Sequence, residues 1–196
     1  MSNEHERTLA NLLVRYSVDL QPKQRCLINA IDVPESMVEE LVGAVYAAGG
    51  YPQVQLSSIR IEQALLAGCT EESLDTLADA DAYRMKQMDA YIGIRGEVNP
   101  REHAHLSEQN TWYSAHYMHP VHHAIRVPHT KWVVLRYPTQ LMAYQAQMST
   151  RAFEQYFWSV TTAVDYQEMG KAMMKAKAFL DRTDQVRIIA PGTDIS

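Results

Sequence analysis

Five of the chain's eight histidines lie in "HYMHPVHHAIRVPH", His116 to His129, and two more, His103 and His105, lie just upstream. Imidazole is the commonest transition-metal ligand, so such a density first suggests a metal site. His119 and His122, or His119 and His123, have the i,i+3 or i,i+4 spacing that sets two imidazoles on one helix face. Against this, the H-E-x-x-H pattern is missing. Pro120 interrupts the pair and argues against a continuous helix through His116–His123. A third ligand would have to come from Glu102 or Glu108, well back in sequence, so the cluster reads as surface or hydrogen-bonded filler.

Other chemistries find less support. A G-x-G-x-x-G fingerprint and a G-x-x-x-x-G-K-[ST] loop are both absent, which discounts dinucleotide and ATP binding. There is no G-x-S-x-G nucleophile elbow. Cys26 sits in an apolar run and Cys69 follows a glycine, so both read as reduced thiols. Two strand ends carry polar residues that could face a cleft: Arg95, Glu97 and Asn99 in "IRGEVNP", and Tyr137 and Thr139 in "YPT". Loop hydrogen bonds and helix caps would explain the same residues.

The elements that must position these groups alternate along the chain. Leu9, Leu12, Leu13 and Tyr16 form the stripe of an amphipathic first helix. "RCLINAI" (25–31) reads as a buried strand, and Pro34 opens a helix with the stripe Val38, Leu41, Val42, Val45, stopped at Gly49-Gly50. Strands are expected at Tyr51–Leu56, Asp89–Gly96, Lys131–Pro138 and Gln185–Gly192. Between them lie a short helix at 61–68, a helix capped by Thr70, a helix after Pro100, and two helices filling 139–182. Strands separated by helices of this length imply an α/β fold of three layers, a mostly parallel five-stranded sheet with helices on both faces, Rossmann-like but without a nucleotide loop.

The 196 residues suffice for one core-forming domain. With 46% hydrophobic and 21% charged residues the chain is of ordinary globular type, and a net charge of -5 argues against nucleic-acid binding. No apolar run reaches membrane-spanning length. The N-terminus shows no basic region followed by an apolar stretch, so a cytoplasmic protein is expected.

Five segments, in order, resemble the aminopeptidase T / aminopeptidase S family of metallo-exopeptidases, the thermophilic-type leucyl aminopeptidases. "LANLLVRYSVDLQPKQRCLINA" resembles that family's opening helix and first strand, and "LVGAVYAAGGYPQVQL" its helix–Gly–strand unit. "DAYIGIRGEVNP" resembles its "DAYI-x-IRG-x-x-NP" segment, and "KWVVLRYPTQLMAYQAQMSTRAFEQYFW" its "YPT" strand and following helix. "VRIIAPGTDIS" resembles "V-x-I-x-GPGTDL", with Ala190 where the family has its first glycine.

The resemblance implies an N-terminal domain. Members are about twice as long, and their two-metal centre is built from carboxylates and histidines beyond the GTDL segment. Residues 1–185 are then the α/β domain, and 186–196 the last strand and the start of a segment leading to a C-terminal catalytic domain. The expected cofactor is a pair of divalent ions, of Zn-, Co- or Mn-type, in the parent protein, with no metal ligand and no catalytic residue in this chain. Arg95, Asn99, Tyr137 and Thr139 are the candidates for substrate-cleft positions. The expected partners are a peptide substrate, the C-terminal domain and a second copy in a homodimer, with neither nucleic acid nor membrane. Two rival readings are a domain of a related non-haem iron dioxygenase that cleaves hydroxypyridine rings, and a free-standing, non-catalytic binding or assembly module.

Overall fold

The computed structural model describes residues 4–96, 99 and 101–195. Two compact units divide the chain, Met1–Ala163 and Val164–Ser196.

In the first unit, α1 (Glu4–Leu12) buries Glu6, Leu9 and Ala10 and widens into a π-helical turn, Leu13–Ser17. The amide of Val18 closes that turn on the Leu13 carbonyl at 3.0 Å. Then follow β1 (Arg25–Ile31), α2 (Glu35–Ala47), β2 (Tyr51–Ser57), α3 (Ile59–Ala67), α4 (Glu71–Met85) and β3 (Ala90–Arg95). The helix stop expected at Gly49 is present, with Gly49 at φ +76°. Thr70 caps α4 in a reciprocal capping box with Ser73.

The stretch after Pro100 differs from expectation in one respect. A helix begins as α5 (Ser107–Tyr113), continues as a π-helical segment Ser114–Arg126, and ends as α6 (Val127–His129). Pro120 lies inside it without breaking it. The wider winding moves the ring away from the preceding carbonyls, and the missing N–H costs only one rung of the ladder. The strand β4 (Lys131–Arg136) follows, then α7 (Gln140–Gln145) and α8 (Thr150–Thr162).

The four strands form one parallel sheet in the order β2-β1-β3-β4. Strand alternation sorts its side chains into two cores. Cys26, Ile28, Ala30, Ile92 and Ile94 face α1, α2, α7 and α8, where Phe153, Phe157 and Trp158 complete the larger cluster. Leu27 and Tyr91 face the other side, against Ala78 and Met85 of α4 and Val121 and Ile125 of the π-helical segment. Each fully buried side chain of this kind contributes about 1.5–3 kcal/mol. Helices therefore cover both faces, and the unit is the expected three-layer α/β arrangement. Both cysteines are free thiols, and burial raises that of Cys26 to about 12.

The strand count needs correction. The expected fifth strand contributes only β5 (Ile188–Ala190), which pairs antiparallel with β6 (Thr193–Ile195) in the second unit rather than extending the parallel sheet. "APGTD" is the reason: Gly192 at φ +76° reverses the chain, and the short-range hairpin captures the strand's hydrogen bonds. The region 139–182 also holds three helices, not two. The third, α9 (Tyr166–Leu180), is capped by Asp165 and belongs to the second unit. Its stripe residues Met169, Met173 and Leu180 are exposed, as are Ile188 and Ile189.

Candidate functional site

In an open parallel sheet, ligands bind outside the carboxyl ends of the strands where successive connections leave on opposite faces. Here β1 leads into α2 on one face, whereas β3 leads to the helices of the other, so the switch lies between β1 and β3. At that point the two backbones touch. The Gly96 amide donates to the Ile31 carbonyl at 2.8 Å. A Cβ on Gly96 would stand 2.3 Å from the Asp32 carbonyl oxygen. The Asp32 carboxylate accepts from the Ile59 amide at 3.0 Å and so fixes the start of α3.

Arg95 ends β3, half-buried. Its Nη1 donates to the Asn29 and Ile94 carbonyls, and its Nη2 to the Tyr91 hydroxyl at 3.1 Å. Tyr91 in turn donates to Asn29 Oδ1 at 3.1 Å. The Arg126 guanidinium lies over the Tyr91 ring at 4.0 Å, a cation–π contact, and its Nε is buried without a partner among the described residues. Glu62 completes this polar layer. Burial raises its carboxyl above the usual range, against the hydrogen bond from Ser57 and the Arg95 and His103 charges. Burial, with the charge of Glu62, lifts the Tyr113 phenol to about 12.

The other sequence candidates take different places. Tyr137 follows β4, and its amide donates to the Arg95 carbonyl at 2.8 Å. Its side chain leaves on the opposite face, where the hydroxyl donates to Glu6 Oε1 at 2.6 Å. Ser36 donates to the same oxygen at 3.2 Å, while Glu6 Oε2 is buried with no partner among the described residues. Thr139 caps α7, its hydroxyl accepting from the Met142 amide. Asn99 is exposed, with Nδ2 donating to Glu102 at 2.7 Å and Oδ1 accepting from the Arg101 amide. Glu97 lies outside the described residues. Arg95 and Tyr137 thus share a strand end, but their side chains do not converge with each other.

Sequence reasoning passed over Glu6, Asn29, Tyr91 and Arg126. Glu6 carried a signal: it stands at i−3 to Leu9 and so on the buried stripe of α1. Asn29 did too, as the one polar residue inside an apolar strand. Nothing local pointed to Arg126.

The histidines do not build a common centre. His116 Nδ1 meets Asp75 at 2.8 Å and Nε2 meets Glu71 at 3.2 Å, two carboxylates on opposite sides of one ring. Those partners raise its pKa, the Asp75 hydrogen bond most. His122 accepts a hydrogen bond at Nδ1 from Arg126 and sits edge-on to Trp132. His103 lies against the Ile59 carbonyl. Among the described residues, no group of three or more His, Cys, Asp or Glu side chains is placed to hold a metal ion. These donors do not fit a two-metal hydrolytic centre, which needs bridging carboxylates.

Comparison with known proteins bears on what this rim serves. The family model described as "Thermophilic metalloprotease (M29)" matches residues 2–196. No curated protein matches the chain. Among solved structures, the chain is similar to "Wild-type AmpT from Thermus thermophilus", with a TM-score of 0.62 and 19% identity over 81% of this chain. That likeness is one of fold, and the chain spans 43% of the length of that structure.

Proposed function

The chain belongs to the thermophilic metalloprotease (M29) family, and on that premise we propose that it is the N-terminal α/β domain of a metal-dependent aminopeptidase. The parent enzyme removes N-terminal residues from peptides in the cytoplasm. The observation that carries this reading is the family match over residues 2–196. The shared fold with AmpT supports it.

In this reading, residues 1–185 form the domain and 186–196 lead toward a C-terminal catalytic half. That half would hold the pair of divalent ions, of Zn-, Co- or Mn-type, a reading supported by the match to a metalloprotease family. The carboxyl-end rim carrying Arg95, Asn99, Tyr137 and Thr139 walls the peptide cleft. Arg95 and Asn99 have the chemistry to meet a substrate's carbonyl and carboxylate oxygens. Thr139 and Tyr137 hold the wall in place through α7 and α1. The parent works as a homodimer. No helix among the described residues is long and apolar enough to cross a membrane.

The test compares this chain with a protein extended through the downstream coding region. Both are assayed on aminoacyl-p-nitroanilides with and without a chelator. Hydrolysis by the extended protein alone, abolished by chelation and restored by a divalent ion, is expected. Metal-dependent hydrolysis by residues 1–196 alone would place the centre in this domain and overturn the assignment. An extended protein that is inert on peptides but opens hydroxypyridine rings with ferrous iron would overturn it in favour of the dioxygenase.

A further inference from the structure

The π-helical passage through Pro120 changes what the histidine cluster can do. Because the helix is continuous, His119 and His123 become neighbours on one exposed face, with ring centroids 6.3 Å apart. Both side chains are exposed, and the His123 ring also stands edge-on to His122 with centroids 5.0 Å apart.

The neighbouring imidazoles are chemically spoken for. His116 has a carboxylate at each ring nitrogen, so both of its nitrogens are already engaged. At His122 the partner on Nδ1 is an arginine, which can only donate, so the neutral ring carries its proton on Nε2 and has no lone pair free. His119 and His123 therefore remain as the pair with available nitrogen donors.

We propose that His119 and His123 form a two-imidazole site for a borderline divalent transition ion, which clamps the helix across Pro120. Two imidazoles bound at about 2.0–2.1 Å in tetrahedral geometry have ring centroids about 5.3 Å apart. Closing the observed 6.3 Å by about 1 Å is within the reach of two exposed side chains turning about their χ angles. Water completes the coordination, since no third protein donor is placed there among the described residues. The ion prefers this segment folded: Pro120 lacks the N–H that would bond back to residue 115 or 116, and a chelate spanning 119–123 adds a link over the turn that follows. With nitrogen ligands only, affinity follows Cu2+ above Ni2+ and Zn2+, and Mg2+ and Ca2+ are excluded.

The untagged chain, stripped with chelator, is titrated calorimetrically with Cu2+, Ni2+, Zn2+ and Mg2+, and its thermal unfolding is followed by circular dichroism with and without Zn2+. One equivalent should bind in that order, with no Mg2+ heat, and Zn2+ should raise the melting temperature. H119A and H123A should each weaken binding at least tenfold and abolish the thermal shift, while H129A and H105A change neither. Both critical side chains are exposed, so the variants' unliganded melting curves report whether they fold. Undiminished binding in H119A and H123A would overturn the site. Binding that leaves the melting temperature unmoved would overturn the clamp.

Discussion

The Tyr137 hydroxyl donates to the Glu6 carboxylate at 2.6 Å, joining residues 131 positions apart. Glu6 is 2% exposed on the inner face of α1, and Tyr137 stands at the end of β4, edge-on to Trp158. The bond fastens the first helix to the far edge of the sheet. A buried carboxylate stripped of its partner bears its full desolvation cost. Tyr137→Phe should therefore destabilise the protein by about 1–3 kcal/mol in urea denaturation. An unchanged midpoint would show that the bond to Glu6 does not hold the fold.

Tyr113, Tyr117 and Tyr137 all hold their phenol protons more tightly than free tyrosine, chiefly through burial, and Tyr113 reaches about 12. A group whose folded pKa is raised stabilises the fold below its unfolded value, near 10, and loses that contribution as pH rises through the folded value. Between about pH 10 and 12 the unfolded state sheds these protons while the folded state keeps them, so stability falls. Absorbance at 295 nm and circular dichroism should then report late tyrosine ionisation together with unfolding. A smooth titration of every tyrosine near pH 10 in the folded protein would contradict the buried network.

At Gly96 a side chain has nowhere to go, because the atom it would meet is the Asp32 carbonyl oxygen at 2.3 Å and backbone cannot swing aside. Gly96→Ala should cost at least about 3 kcal/mol or prevent folding. Gly43→Ala is the matched control, inside α2 with nothing within 4 Å of the new methyl. There alanine's helix preference should stabilise the protein by up to about 1 kcal/mol.

His116 should titrate above the ordinary histidine range, because its protonated ring is held by Asp75 and then by Glu71. Its contribution to stability is present at low pH and fades as pH rises through the folded value. Asp75→Asn should bring the pKa back toward that of a free imidazole in a proton-NMR titration. An unshifted His116 in the parent protein would mean that the two carboxylates are solvated instead of paired.

Local pattern was enough for most of the elements. The apolar run at 25–31 and the stripe at Val38, Leu41 and Val45 each occur where expected, because burial on one face imposes its period on the sequence. Thr70 and Gly49 mark helix ends because capping and left-handed backbone depend on a few adjacent residues. Pro120 misled for a related reason. Proline disfavours α-helix locally, and the π-helical alternative is held by packing, Val121 and Ile125 being buried against α4 and the sheet. The last strand misled because "APGTD" offered a closer partner than the sheet.

By itself the sequence determined the three-layer α/β class, the helix and strand order through β4, and the family, since these rest on periodicity and on motifs read within short windows. Only the tertiary structure decided which polar residues meet. Glu6 with Tyr137, Arg95 with Asn29, and Arg126 over Tyr91 are separated by 35 to 131 positions, and no period relates them. Register and helix docking bring such pairs together. Once buried there, each polar group must find whichever partner the fold has placed beside it.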